Sequence, residues 1–148
     1  MLAVAALFGA QGVHVRISSE SPPRSALGGS SVAAAALVAA FFVAARPGAT
    51  LDRRAVALTA HAIEESVAGV PCGYQDQLAA VFAGASLWHW RALPRPEVYR
   101  REVVIPAERL AGLAPHLLVA YAGVIHASSD VNGRWVRQFV EGRRRAEW

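Results

Sequence analysis

The 148-residue chain contains no lysine, so all fifteen of its basic side chains are arginine. That absence removes Schiff-base chemistry and the lysine of an ordinary P-loop. A single cysteine, Cys72, excludes a disulfide framework within the chain and any zinc site built from several thiolates. No apolar run approaches the roughly 18 residues that suggest a membrane span. The longest, residues 32–45, is mostly alanine and reads as a buried helix. No positive charge precedes the apolar start MLAVAALFGAQG, so no signal peptide is read. The expectation is a cytoplasmic protein without a membrane partner. Carboxylates are scarce as well, eleven in all, which keeps the candidate acids and metal ligands few.

Arginine in excess gives a net charge of +4 and a pI near 10.2. Apart from Arg143, Arg144 and Arg145 the basic residues are dispersed, and no zinc-finger, RNA-recognition or basic-zipper pattern accompanies them. The cluster reads as a solvated tail, and no nucleic-acid partner is expected. With 54% hydrophobic residues the chain is long enough for one domain with a core.

The most informative stretch is residues 22–36, PPRSALGGSSVAAAA, where a glycine- and serine-rich turn runs into an alanine-rich helix. Backbone N–H groups at such a start have no partner within the helix, and the dipole adds partial positive charge. Phosphate is the natural guest. Around this turn the pattern predicts mixed α and β structure. Val13, Val15 and Ile17 alternate with polar residues as in a half-buried strand. A helix is expected over 31–45, stopped by Arg46-Pro47-Gly48. Thr50 reads as the N-cap of a second helix that ends at Gly69, with Asp52 in its first turn and Leu51, Leu58, Ala62 and Val67 near one apolar stripe. A short helix over 75–82 closes at Gly84. Strands are predicted around 86–91 and 98–105, separated by Leu93-Pro94-Arg95-Pro96. A more buried strand over 117–121 and a helix over 131–140 complete the reading.

Among the carboxylates, Glu64 and Glu65 fall late in the second helix, and Asp76 follows a glycine-broken loop in GVPCGYQDQ. A carboxylate at a glycine turn can approach a bound substrate closely. Phosphoryl transfer needs a phosphate cradle, a carboxylate for Mg²⁺, and often a carboxylate that takes the attacking hydroxyl's proton. Each feature also has a plain structural reading. Glycine-serine turns before helices are common, Glu64 fits a helix surface, and Asp76 suits the first turn of its own helix. His61, His89 and His126 show no metal-ligand spacing, and Trp88 and Trp90 on one strand face fit packing better than base stacking.

The order and spacing of the set resemble the GHMP kinases, whose central motif runs roughly Pro-x-x-x-Gly-Leu-Gly-Ser-Ser-Ala. Here the corresponding residues are Pro22, Pro23, Arg24, Ser25, Ala26, Leu27, Gly28, Gly29, Ser30, Ser31 and Val32. The segment IEESVAGVPCGYQDQLAAVFAG at 63–84 is similar to the sugar-kinase branch, as is LLVAYAGVIHASSDVNGRW at 117–135, particularly to heptose 7-phosphate kinases. The resemblance implies ATP- and Mg²⁺-dependent transfer of a phosphoryl group to a hydroxyl of a sugar or sugar phosphate. Arg24, Ser25, Ala26, Leu27, Gly28, Gly29, Ser30 and Ser31 would surround the ATP phosphates. Ser31 and Glu64 would be the Mg²⁺ ligands, and Asp76 the base. Glu64 is chosen over Glu65 because it holds the motif position before Gly69.

The sequence departs from the family pattern in two ways. Ala26 replaces the motif's first glycine, and Arg24 occupies a position that is often small. Family members run to about twice this length, with an early substrate-binding motif and a late glycine-rich motif that do not appear here. The expected fold is α+β: a GHMP-type N-terminal domain with a left-handed βαβ crossover over 1–127, incomplete, and a helix over 128–148 leading into a ferredoxin-like second domain. An incomplete domain would expose a sheet edge and self-associate. Two readings follow, the core of a sugar kinase present as a fragment, or a degenerate, non-catalytic module that binds nucleotide or a partner.

Overall fold

Helices form here where alanine-rich or apolar runs are bounded by glycine, proline or a capping side chain. The computed structural model describes residues 2–20, 22, 25, 27–69, 72–90, 99–121, 123 and 128–143. Two compact units divide the chain, residues 1–81 with 121–148, and residues 82–120.

The first unit is helical. After the short α1 (Leu2–Leu7) comes α2 (Gly29–Ala45), which starts at the left-handed Gly28, φ 68°. It ends where Arg46 N–H bonds to Phe42 O at 3.1 Å, and Pro47-Gly48 cannot continue the ladder. Helix α3 (Arg53–Ala68) is capped by Asp52, whose carboxylate accepts the Ala55 N–H at 3.1 Å, and is closed by left-handed Gly69. The cap is therefore Asp52 and not the expected Thr50. An aspartate three residues before a free N–H is a good cap, and the helix starts at the first residue that allows this bond. Helix α4 (Gln75–Val81) and α6 (Ser128–Val140) follow, the second three residues longer at its start than predicted.

Val4, Ala35, Leu37, Val38, Val56 and Ala60 form the buried core of this unit, with Phe8, Phe41 and Phe42 against it. Phe8 stacks on Phe41 at 5.5 Å and meets Phe42 edge-on at 5.1 Å. The buried face of α3 is Val56, Ala57, Ala60 and His61, not the predicted stripe; Ala62 is exposed and Val67 is 71% exposed. The larger residues suggested one stripe, but alanines bring α3 closer to α2, and the inward face follows from that packing.

The second unit is built on a hairpin of β1 (Ala85–Trp90) and β2 (Tyr99–Ile105), antiparallel, with Trp90 opposite Tyr99 and Trp88 opposite Arg101. Residues 93–96, the predicted connection, lie outside the described residues. Trp88 packs edge-on against Tyr99 at 5.2 Å and against Phe82 at 5.7 Å. The Arg101 guanidinium lies over Phe82 at 4.8 Å and donates to Ser86 Oγ and Ala83 O, both at 2.9 Å. This arrangement accounts for Trp88 as packing, while Trp90 meets Tyr99 edge-on at 6.3 Å and stays 47% exposed. Beyond β2, two 3₁₀ turns flank the single turn α5 (Leu110–Leu113).

Gly84 turns the chain into β1 at φ 89°, and a Cβ placed there would stand 2.5 Å from the Ile105 carbonyl oxygen. Gly84→Ala therefore meets backbone, and the left-handed conformation adds about 1–2 kcal/mol. The expected outcome is loss of the hairpin, seen as collapse of the near-UV circular dichroism of the Trp88–Tyr99 cluster. An unchanged spectrum would contradict it.

Two predicted strands do not form. Residues 11–20 and 117–121 are irregular; Val13, Val15 and Ile17 are exposed, and Leu118 is 93% exposed rather than buried. A strand exists through hydrogen bonds to a neighbour, and the sheet among the described residues contains only β1 and β2. Alternating or apolar pattern alone supplies no partner.

Candidate active site

Four side chains from α2, α3 and α4 converge at the start of α2. The first turn of that helix carries Gly29, Ser30 and Ser31, whose N–H groups have no acceptor within the helix. No side chain caps them, and the first ladder bond runs from Val32 N–H to Gly28 O at 3.0 Å. An anion is the favoured guest for such a helix start. Leu27 is half exposed and Ser25 half-buried beside it. Arg24 and Ala26, both expected at this loop, lie outside the described residues.

Glu64 projects from α3 onto that first turn. Its Oε1 accepts the Ser30 hydroxyl at 2.6 Å, and its Oε2 accepts the Ser31 hydroxyl at 2.7 Å. Gln77 Nε2, from α4, donates to the same Oε2 at 2.7 Å and lies 3.3 Å from Ser31 Oγ. Ser31 is 4% exposed and Gln77 1% exposed, so this network has a dry side. Glu65, its neighbour in sequence, is exposed. Gln77 is the residue that sequence reasoning missed. Its only signal was its place after Asp76, in the polar start Gln75-Asp76-Gln77 of α4.

Asp76 approaches the glycine turn at Gly28. A Cβ built on Gly28 would lie 3.3 Å from Asp76 Cγ and Oδ2. The missing side chain at Gly28 thus serves both its left-handed backbone and the close approach of this carboxylate. The loop ahead of α4 is pinned from α3: His61 Nε2 pairs with Cys72 O at 2.8 Å, and its ring stacks on Tyr74 at 3.7 Å. His61 is thus a satisfied, buried histidine. His89 pairs with Glu102 at 3.3 Å on the hairpin, and His126 lies outside the described residues.

Burial pushes the Cys72 thiol up, and the carboxylates of Glu64, Glu65 and Asp76 push it further. Because the thiolate is the reactive form, a raised thiol reacts slowly. Iodoacetamide at about pH 8 should alkylate Cys72 more slowly than free cysteine, and Glu65→Gln should speed the reaction. A rate equal to that of free cysteine, and indifferent to that substitution, would rule out this field.

No cluster of three histidine, cysteine or acidic side chains able to hold a metal occurs among the described residues. The site offers one carboxylate and two hydroxyls instead. Such a hard-oxygen set suits Mg²⁺, which takes one or two carboxylates and completes its shell with phosphate oxygens and water. No helix among the described residues is long and apolar enough to cross a membrane.

The family model for the GHMP kinases N terminal domain matches residues 1–84. The chain belongs to the GHMP kinase family. Its members are phosphotransferases that generally use ATP and Mg²⁺. The matched segment of this GHMP domain holds the glycine turn, Glu64, Asp76 and Gln77, and ends at the residue before β1. No curated protein and no solved structure matches the chain.

Proposed function

We propose that this GHMP domain serves ATP- and Mg²⁺-dependent transfer of the γ-phosphoryl group to a hydroxyl of a sugar or sugar phosphate, within carbohydrate metabolism. One observation carries the reading: Ser31 and Glu64 meet at 2.7 Å beside an uncapped glycine turn that Asp76 also faces. In this reading the backbone N–H groups of residues 26–31 wrap the nucleotide's phosphates, with Arg24 and Ser25 completing the phosphate-binding loop. Ser31 and Glu64 hold Mg²⁺, which when bound neutralises charge on the phosphate oxygens. Asp76 orients the acceptor hydroxyl and takes its proton. The sugar branch rests on the likeness of residues 63–84 and 117–135 to that branch.

The same reading expects the left-handed βαβ crossover, a domain over 1–127, a helix over 128–148 leading into a ferredoxin-like domain, and a cytoplasmic protein. The deciding assay gives the full chain ATP, Mg²⁺ and a panel of hexoses and heptose phosphates. Phosphorylated sugar supports the proposal. ATP binding with no product from any acceptor supports the degenerate, non-catalytic module instead.

Self-association belongs to the proposal too. Each strand of the two-stranded sheet has an edge with no partner strand among the described residues, and Val103 and Val104 on β2 are exposed. On a sizing column the protein should elute as dimers or larger species that grow with concentration. A concentration-independent monomer would overturn this.

A further inference from the structure

Gln77 has no part in the chemistry just described, yet it is 1% exposed at the centre of the site. Its amide nitrogen faces two acceptors, Glu64 Oε2 at 2.7 Å and Ser31 Oγ at 3.3 Å. Ser31 Oγ donates to the same Glu64 oxygen at 2.7 Å, so side chains from three helices close one triangle. Turning the amide over would set its carbonyl oxygen against the Glu64 carboxylate, acceptor against acceptor. The orientation that avoids this leaves Gln77 Oε1 buried with no hydrogen-bond partner among the described residues. An unpaired buried carbonyl is unfavourable, and a methionine would fill the same space without one. The local arrangement thus satisfies the nitrogen and leaves the oxygen unpaired.

We infer that Gln77 is a positioning residue, whose amide holds the Glu64 carboxylate and the Ser31 hydroxyl as a preset pair of Mg²⁺ ligands. The inference rests on the proposed Mg²⁺–ATP reading of the site. Glu64 is half-buried, and without the amide its carboxylate is held only by the two serine hydroxyls of α2, one of them the other proposed ligand. Gln77 also ties the ligand pair to α4, the helix that carries Asp76, so the metal ligands and the base share one support. Outer-shell partners of this kind are worth roughly 10–100-fold in metal affinity.

The test is calorimetric titration of the full-length protein with ATP, once in Mg²⁺ and once in EDTA, beside thermal unfolding of the same samples. Gln77→Met conserves length and volume. It should bind ATP in EDTA as the wild type does, keep or raise its melting temperature, and lose roughly 10–100-fold of the affinity gained from Mg²⁺. Gln77→Asn keeps the amide but withdraws it by one methylene, and should show the same loss; it carries the comparison if Gln77→Met does not fold. Adding either change to Glu64→Gln should cost nothing further, because the side chains act as a unit. A wild-type Mg²⁺ gain in both Gln77 variants, or losses that add to that of Glu64→Gln, overturns the inference alone. A wild-type protein with no Mg²⁺ gain at all overturns the Mg²⁺–ATP reading and this inference with it.

Discussion

Asp76→Asn is expected to lower phosphoryl transfer by roughly 10²–10⁴-fold while leaving ATP affinity and the melting temperature nearly unchanged. The substitution keeps the shape and polarity of the side chain but removes its capacity to take a proton. Asp76 sits on the solvent side of α4, outside the triangle of Ser31, Glu64 and Gln77, so no buried partner is stranded. The measurement is kcat on the phosphorylated acceptor, with nucleotide titration and thermal unfolding as controls. Product formed at the wild-type rate would remove Asp76 as the base. A parallel fall in ATP affinity would make it a nucleotide contact instead.

Glu64 should separate stability from metal binding. Glu64→Leu withdraws the acceptor from a buried hydroxyl and a buried amide. The amide keeps only its longer contact to Ser31 Oγ at 3.3 Å and the hydroxyl loses its acceptor. Such a loss costs about 1–3 kcal/mol, a fall of roughly 4–12 °C in melting temperature. Glu64→Gln keeps an oxygen that can accept from Ser30, Ser31 or Gln77 and removes only the charge. It should unfold within a few degrees of the wild type and still lose the gain in ATP affinity that Mg²⁺ brings. Unfolding traces that coincide for both variants and the wild type would show that the network contributes nothing to the fold. Undiminished Mg²⁺ dependence in Glu64→Gln would remove Glu64 from the ligand set.

The parts of the fold that could be read in advance are those with local causes. Alanine propensity, the stop at Arg46-Pro47-Gly48, the left-handed Gly69 and the turn at Gly84 act within a few residues. The boundaries of α2, α3, α4 and the hairpin accordingly fall close to expectation. Strand formation is not local. Val13, Val15 and Ile17 have the right alternation and residues 117–121 the right composition, yet both segments are irregular because neither has a neighbouring strand among the described residues. The face of a helix that turns inward is equally a property of its neighbours. Val67 therefore stays in solvent while Ala57 and Ala60 are buried.

The same division runs through the site. Sequence alone determined its inventory: a chain without lysine, a glycine-serine turn at a helix start, and a few carboxylates placed after it at distinctive points. It left Glu64 and Glu65 separable only through a motif position, and it gave Gln77 no role. Tertiary structure decided which groups touch. Packing of α3 and α4 on α2 carries Glu64 to Ser30 and Ser31 across more than thirty positions of sequence. It also buries Gln77 between them and brings Asp76 against the bare Cα of Gly28. The reason is physical. A helix start is encoded by residues next to one another, whereas a hydrogen bond between side chains of different helices depends on how those helices pack, which no short stretch of sequence specifies.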